Sequence, residues 1–277
     1  MQFTLWPACV KVHGFEQQVQ AAAAAGFDSL AISPVMIKVL RDMRWGDDRI
    51  RDYPRDHGIC LSHYDGFSDW APLRYSSDLA DEAKAIFDVS TDECLAMCDA
   101  LELSAICAVG AFGAGECELE ALQDSFGRFA ERAGNAGVRV DLEFLPMWGI
   151  ADLATAWEVV APSHGPASGI LLDTWHFVRG NPDLELLASL PDGAITAVQL
   201  ADADAEIRGD SLFEDTLRFR KLPGEGAFPL EAIKQSLSTQ SQIASIGPEI
   251  YADAMDLLSA EDAARQCAEA SRQQWPM

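Results

Sequence analysis

The strongest constraint in this sequence is the repeated alternation of short β-rich runs with longer segments of helical period. Helical segments such as FEQQVQAAAAAG, which Gly26 closes, lie between the β-rich runs. The eight strand-like runs are FTLW (3–6), DSLAIS (28–33), ICLSH (59–63), SAICAVG (104–110), VRVDLEF (138–144), GILLDT (169–174), AITAVQL (194–200) and ASIGPEIY (244–251). Eight strand–helix units in 277 residues predict an α/β fold, namely a (β/α)₈ TIM barrel that forms one domain over residues 1–277.

An open, doubly wound parallel sheet is the competing arrangement. Such a sheet usually carries a glycine-rich GxGxxG fingerprint directly after its first strand. Here the first strand leads into PACVKVHGF, which lacks that fingerprint. The chain also shows no Pro-rich or Ser-rich linker and no change of composition along its length, so a single closed barrel is the simpler prediction.

The charge balance and the cysteine pattern limit the partners and the compartment. Against 20 Lys and Arg stand 44 Asp and Glu, a formal net charge of -24, which repels nucleic acid and anionic membrane surfaces. The seven cysteines contain no CxxC pair, and no apolar stretch reaches the roughly 18 residues of a spanning helix. We therefore expect a cytoplasmic protein with a small-molecule partner, without nucleic acid or membrane; whether it forms a homo-oligomer stays open.

Four consecutive predicted strands end in a side chain that offers an oxygen ligand. These are Glu143, Asp173, Gln199 and Glu249. A single acidic residue after a strand is usually a helix N-cap or a solvated loop residue. Four in a row need another explanation, because the carboxyl ends of barrel strands meet at one mouth, where catalytic groups of such barrels lie.

Carboxylates that converge on one mouth repel each other unless a cation lies among them. Carboxylate and amide oxygens are hard ligands, and they favour Mn²⁺ or Mg²⁺ over Zn²⁺ or copper. The sequence therefore predicts a divalent metal, Mn²⁺ or Mg²⁺, held by Glu143, Asp173, Gln199 and Glu249.

Three further residues are candidates for contacts with the substrate. Arg220 stands in RFRKLPGEG, a basic stretch of an acidic chain, and its planar guanidinium suits a carboxylate or enolate oxygen. His63 is predicted at the end of the third strand, where a histidine can act as base or hydrogen-bond donor. Trp175 adjoins the predicted site and is a candidate for its apolar wall. For His63 and Trp175 the alternative is a structural role inside the core.

The second half of the chain resembles the xylose isomerase-like TIM barrel superfamily, which contains sugar phosphate isomerases and epimerases and several dehydratases. The first half matches only in AGFDSLAIS. The matching segments are EFLPMW (143–148), LDTWHF (172–177), VQLADAD (198–204), RFRKLPGEGAFPL (218–230) and PEIYADAM (248–255). The resemblance implies that Glu143, Asp173, Gln199 and Glu249 are the metal ligands, and that His176 lies beside the metal and contacts substrate.

The resemblance leaves the reaction open. Many isomerases of the superfamily have a histidine where this chain has Gln199, whereas members that resemble 3-dehydroshikimate dehydratase have a glutamine. We expect an isomerase or epimerase of a sugar or polyhydroxylated ketone, in which Glu143 and Glu249 exchange a proton through a metal-stabilised enediolate and His176 orients a hydroxyl. A dehydratase of the 3-dehydroshikimate or inosose type is the alternative. A noncatalytic sugar-binding barrel and an apurinic-site endonuclease are disfavoured, the latter by the charge and by the presence of only five histidines.

Overall fold

The computed structural model, which describes residues 1–77 and 79–276, is a closed barrel of eight parallel strands in sequence order. The strands are β1 (Gln2–Leu5), β2 (Ser29–Ile32), β3 (Cys60–Phe67), β4 (Ala105–Val109), β5 (Arg139–Glu143), β6 (Ser168–Asp173), β7 (Ile195–Leu200) and β8 (Ser245–Pro248). The predicted single-domain (β/α)₈ barrel is thereby confirmed. Each predicted strand run overlaps a strand, but β3 continues four residues beyond the predicted end.

Helices connect the strands and cover the outside of the barrel. They are α1 (Phe15–Ala24), α2 (Pro34–Asp42), α3 (Asp47–Asp56), α4 (Asp81–Phe87), α5 (Thr91–Leu101), α6 (Leu119–Asn135), α7 (Leu153–Val160), α8 (Thr174–Arg179), α9 (Leu184–Ser189), α10 (Leu212–Arg218), α11 (Leu230–Ser236) and α12 (Ala260–Gln274). Short 3₁₀ helices span Pro7–Val10, Ala161–Ser163, Leu237–Thr239 and Met255–Leu257. No helix within the described part of the chain has the length and apolar composition needed to cross a membrane.

Helix α6 shows how the outer layer forms from the sequence. Its buried residues Leu122, Phe126, Phe129 and Ala133 recur every three or four positions, so they share one face of the helix. That face belongs to the main core cluster, which lies between the helices and the outer face of the barrel. Burial of this stripe, rather than intrinsic propensity alone, stabilises the helix.

The barrel closes where β1 pairs with β8. The hydroxyl of Thr4 lies 2.8 Å from that of Ser29 and 2.7 Å from that of Ser245, so three neighbouring strands share a buried hydrogen-bonded contact. At position 247 a Cβ would lie only 1.7 Å from the Thr4 carbonyl oxygen, so only glycine permits this approach of the two strands.

Strand β5 shows the alternation that positions the site. Val140 and Leu142 point outward into the core shared with the helices. Asp141 and Glu143 point the other way, into the barrel, where their carboxylates meet side chains of other strands. One strand therefore carries two inward carboxylates, one deep inside the barrel and one at its mouth.

Candidate active site

The four predicted metal ligands lie at the carboxyl ends of four neighbouring strands. Glu143 is the last residue of β5 and Asp173 the last of β6, whereas Gln199 is next to last in β7 and Glu249 directly follows β8. All four side chains are buried. We call these four residues, together with His176 and Arg220, the mouth cluster. Their ligand role stays a prediction.

Asp173 is both a helix N-cap and a member of the mouth cluster. The two interpretations of an acidic residue after a strand therefore both apply to it. Its Oδ1 accepts hydrogen bonds from the backbone N–H of Trp175 (2.6 Å) and His176 (3.2 Å), so it is the N-cap of α8. Its Oδ2 faces the other members of the mouth cluster. The same cap orients the first turn of α8 and so directs the His176 ring to the carboxylates.

The geometry of the cluster fits a cation. Ligand atoms of Glu143, Asp173 and His176 all lie within 4.8 Å of one another. The Nε2 atom of His176 is 3.5 Å from a Glu143 oxygen and 3.9 Å from Asp173 Oδ2. Gln199 donates from Nε2 to Glu249 (3.0 Å), but its Oε1 is buried and has no hydrogen-bond partner among the described residues. A buried acceptor without a donor is rare in proteins, and a cation would satisfy it.

Arg220 lies inside the cluster, and its side chain is buried. Its Nη1 donates to Asp173 Oδ2 (2.7 Å) and to Glu249 Oε2 (3.1 Å). Its Nη2 contacts Thr216 Oγ1 (2.8 Å) and His176 Nε2 (3.3 Å), and its Nε donates to Thr216. Protein acceptors surround every guanidinium nitrogen. The geometry therefore favours a role in which Arg220 holds the carboxylates in place, rather than the predicted role of a clamp on a substrate anion. The other basic residues of RFRKLPGEG form ion pairs at the surface.

The pKa shifts reflect one cation among three carboxylates. Burial, together with the charges of Asp173 and Asp65, raises the pKa of Glu143 to about 8. Burial also raises the pKa of Glu249 well above its usual value, despite the opposing effect of Arg220. Burial would raise the pKa of Asp173 too, but the charge and the hydrogen bond of Arg220 outweigh it, and the net shift is downward. Burial lowers the pKa of His176 to about 3, so this ring is neutral.

His63 requires a correction. Because β3 continues to Phe67, His63 lies within the strand and not at its mouth end. Its ring is buried, its Nε2 lies 3.5 Å from Asp141 Oδ2, and it packs on Trp6 with ring centroids 4.7 Å apart. The predicted contact with substrate does not fit this position, and the structural alternative does.

Together with Arg139, Asp141 and Thr196, His63 forms a second polar group, which we call the lower cluster. Both oxygens of Asp141 accept from Arg139, at 2.6 and 2.7 Å. Thr196 Oγ1 also donates to Asp141, at 2.6 Å. Gly169 makes room for this contact, since a Cβ there would lie 2.5 Å from the Thr196 side chain.

Trp175 also requires a correction, because its indole packs against polar side chains of the site and does not line the cavity. The indole is fully buried, meets the His176 ring edge-on at 5.2 Å, and has the Arg220 guanidinium 5.3 Å from its ring centre. Its packing fixes the orientation of both polar side chains. The tryptophan that lines the cavity is Trp148.

Two residues of the site, Asp65 and Cys107, were not predicted from the sequence. Asp65 lines the cavity from β3, and burial raises the pKa of its carboxyl to about 6. Cys107 on β4 points into the barrel, and its thiol donates to Glu143 Oε2 at 3.1 Å. The signal for Asp65 was its place two residues after His63, on the same face of an extended strand. Cys107 left no signal, because a cysteine in an apolar strand is typical of any core.

A cavity of about 400 Å³ opens above the mouth cluster. Its floor includes Asp65, Glu143, His176, Arg220 and Glu249. Its outer part is lined mainly by apolar side chains from the loops and helices that follow the strands. A concave site with converging polar groups at the carboxyl ends of barrel strands is where enzymes of this architecture bind substrate.

The fold and the site therefore define a (β/α)₈ barrel with a carboxylate-rich mouth. Residues 19–274 match the family described as xylose isomerase-like TIM barrel, and the chain belongs to that family. The sequence resemblance is thereby confirmed.

Known proteins of differing activity are similar to the chain. It is 26% identical over 247 residues to a 3-dehydroshikimate dehydratase of Pseudomonas putida, with 86% of this chain but only 36% of the relative covered. Among solved structures, the IolI protein with a bound zinc atom superimposes with a TM-score of 0.83 at 19% identity, over 99% of this chain and 98% of IolI. A D-psicose 3-epimerase, solved in the presence of D-fructose, gives a TM-score of 0.68 at 15% identity, with 99% of each chain covered.

Proposed function

We propose that the protein is an isomerase or epimerase that depends on Mn²⁺ or Mg²⁺ and acts on a sugar or polyhydroxylated ketone. One observation carries the proposal. Three buried carboxylates share the barrel mouth with a single guanidinium, beside a buried Gln199 oxygen that has no donor among the described residues. Glu143, Asp173, Gln199 and Glu249 would hold the cation, and the nearby His176 would contact substrate.

The residues of the site have the properties that proton transfer requires. A divalent cation at the mouth would act as a Lewis acid that polarises a substrate oxygen and so makes the neighbouring C–H bond more acidic. Glu143 and Glu249 reach the cavity from different strands, so their two carboxyl groups could act as proton donor and acceptor toward one bound substrate. Neutral His176 would orient a substrate hydroxyl.

Dehydration is the second candidate, and a specific observation favours it. The relative of Pseudomonas putida is named 3-dehydroshikimate dehydratase, and proton abstraction next to a carbonyl also precedes the loss of a β-hydroxyl. The two outcomes differ in where the electron pair of the enediolate goes. If it takes back a proton, the product is an isomer or epimer, whereas if it expels hydroxide, the product has lost water.

The test uses the full chain, depleted of metal and reloaded with Mn²⁺, in D₂O with D-fructose or 3-dehydroshikimate. We expect metal-dependent deuterium incorporation next to the ketose carbonyl, together with an isomer or epimer, detected by NMR. Glu143→Gln should abolish it, and Glu120→Gln, an exposed change on α6, should leave it unchanged. Loss of water from 3-dehydroshikimate without ketose exchange would establish the dehydratase instead. Failure to bind Mn²⁺ would contradict both candidates.

A further inference from the structure

The outer part of the cavity is a rim of apolar side chains that are partly exposed. Val35 at the start of α2 is 45% exposed and Ile86 in α4 is 36% exposed. Phe213 and Leu217 in α10 are 43% and 49% exposed. These four residues come from three helices, yet all of them line the same cavity. Exposed apolar side chains grouped around one concave site indicate a ligand that covers them.

Three aromatic rings form a continuous arc that begins with the exposed Phe213, passes through the half-buried Trp148 and ends at the buried Phe87. Phe87 and Trp148 lie with ring centroids 5.6 Å apart at 76°, and Trp148 and Phe213 lie 6.4 Å apart at 60°. The rings come from α4, from the loop after β5 and from α10. Their edge-to-face packing fixes their orientation, so the arc is a preformed surface for a flat apolar group.

Among the described residues, the side chains of the cavity offer no unpaired cation to an anionic group. The cavity is lined by two cationic side chains, Lys11 and Arg220, among the residues that the structure describes. Lys11 forms an ion pair with Asp256, and Arg220 forms ion pairs with Asp173 and Glu249. Asp65 adds a carboxylate that contacts the Cys107 thiol and has no cationic partner in the described part of the chain. Even with one divalent cation bound, the carboxylates of Asp65, Glu143, Asp173 and Glu249 would outnumber the positive charges of that cation and Arg220 by one, which disfavours a phosphate or carboxylate on the substrate.

The rim and the floor belong to one cavity, so a ligand that fills it must have both a polar part and an apolar part. The floor alone suits the hydroxyl groups of a polyol, but a polyol leaves the aromatic arc in contact with water. A volume of about 400 Å³ is within the range of pockets that bind ligands of drug size. We propose that the substrate is an uncharged amphiphile, with a polyhydroxylated head on the floor and an apolar substituent, at least as large as a ring, against Phe87, Trp148 and Phe213. This inference rests on the proposed function for the position of the head.

The test measures binding to the Mn²⁺-loaded full chain by titration calorimetry with three matched probes. They are methyl β-D-glucopyranoside, phenyl β-D-glucopyranoside and phenyl β-D-glucuronide. We expect the phenyl glucoside to bind about ten-fold or more tightly than the methyl glucoside, because the phenyl ring covers apolar surface of the rim. The glucuronide should bind about ten-fold more weakly than the phenyl glucoside, because its carboxylate meets the acidic floor.

Two variants assign the preference to the rim. Phe213→Ala and Trp148→Ala should each reduce the phenyl-over-methyl preference several-fold, while the affinity for the methyl glucoside stays the same. Leu257→Ala is the matched control, since Leu257 is 87% exposed and lies outside the cavity. Circular dichroism shows whether each variant keeps the fold.

The outcomes separate this inference from the proposed function. Equal affinity for the methyl and phenyl glucosides would overturn the inference of an apolar substituent. The phenyl ring would then gain nothing from the aromatic arc. Glucuronide binding as tight as that of the phenyl glucoside would overturn the uncharged class. A stable dimer that Phe213→Ala dissociates would assign the rim to a second copy of the chain. In each case Mn²⁺ binding and deuterium exchange would still support the proposed function.

Discussion

Asp141 and Glu143 are two residues apart on β5 and both point into the barrel, yet their environments differ fundamentally. In the lower cluster Asp141 accepts two hydrogen bonds from Arg139 and one from Thr196. Burial alone would raise the pKa of Asp141, but Arg139 outweighs it and holds that pKa well below its usual range. In the mouth cluster, burial and neighbouring carboxylates raise the pKa of Glu143 to about 8.

The difference shows what each cluster contributes. The lower cluster has one carboxylate for one guanidinium and satisfies the hydrogen-bonding groups of Asp141, so it stabilises the fold. The mouth cluster has three carboxylates for one guanidinium and leaves a Gln199 oxygen without a donor in the described residues. Such an arrangement costs stability in the metal-free protein, and perturbed groups of this kind are typical of functional sites.

The largest effect is expected on turnover from Glu143→Gln. The amide keeps the size of the side chain but cannot take up a proton, so kcat should fall by about 10²- to 10⁴-fold. The measurement is the deuterium-exchange rate with a substrate that the wild type turns over. A change of less than about three-fold would remove Glu143 from the chemistry.

The next largest effect is expected on stability from Asp141→Asn. This change leaves Arg139, whose side chain is only 18% exposed, without its carboxylate partner, and should lower the free energy of unfolding by about 3 kcal/mol. Glu143→Gln replaces a carboxyl group that must take up a proton on folding, so it should leave the metal-free protein equally or more stable. Urea denaturation of both variants without metal tests the contrast. If Glu143→Gln destabilises the protein as much as Asp141→Asn does, the two clusters do not differ in the way described.

The pH dependence of stability tests the same contrast in the wild type. Because the folded-state pKa of Glu143 is raised to about 8 from an ordinary value near 4.5, the folded state retains a proton that the unfolded state has lost. The metal-free protein should therefore become less stable as pH rises, by roughly 2 kcal/mol between about pH 5.5 and 7 through this group. Glu143→Gln should remove that part of the slope. A slope that is identical in both proteins would contradict the assignment.

A smaller effect is expected from His176→Ala. If His176 orients a substrate hydroxyl, its loss should reduce kcat/KM about ten-fold, the cost of one hydrogen bond in a buried site. Metal content, measured by elemental analysis, should stay nearly unchanged. Loss of the metal in this variant would show that His176, which lies near Glu143 and Asp173, is itself a ligand.

The sequence predicted the barrel well, because the strand–helix alternation is repeated eight times and the first strand lacks the glycine-rich fingerprint usual in an open, doubly wound sheet. It also predicted the positions of Glu143, Asp173, Gln199 and Glu249, since the end of a parallel strand fixes the height of a residue in the barrel. It failed at His63, because the end of β3 was misplaced by four residues and the strand end sets which layer a residue occupies.

The remaining features depend on contacts between distant segments. The guanidinium of Arg220 meets Asp173, 47 residues away, and Glu249, 29 residues away, and no local pattern shows that these acceptors use its donors. Likewise, the proximity of Cys107 to Glu143 arises from the pairing of β4 with β5. Sequence patterns predict which face of a strand a side chain occupies, but not the partner that it meets across the barrel.

The most direct test of the difference between the clusters is Mn²⁺ binding to the metal-depleted chain, measured by titration calorimetry. We predict one Mn²⁺ per chain, binding that weakens by about ten-fold or more in Asp173→Asn, and unchanged binding in Thr196→Val, which alters only the lower cluster. Wild-type affinity in Asp173→Asn, or an equal loss of affinity in Thr196→Val, would contradict the account of the mouth cluster as the metal site.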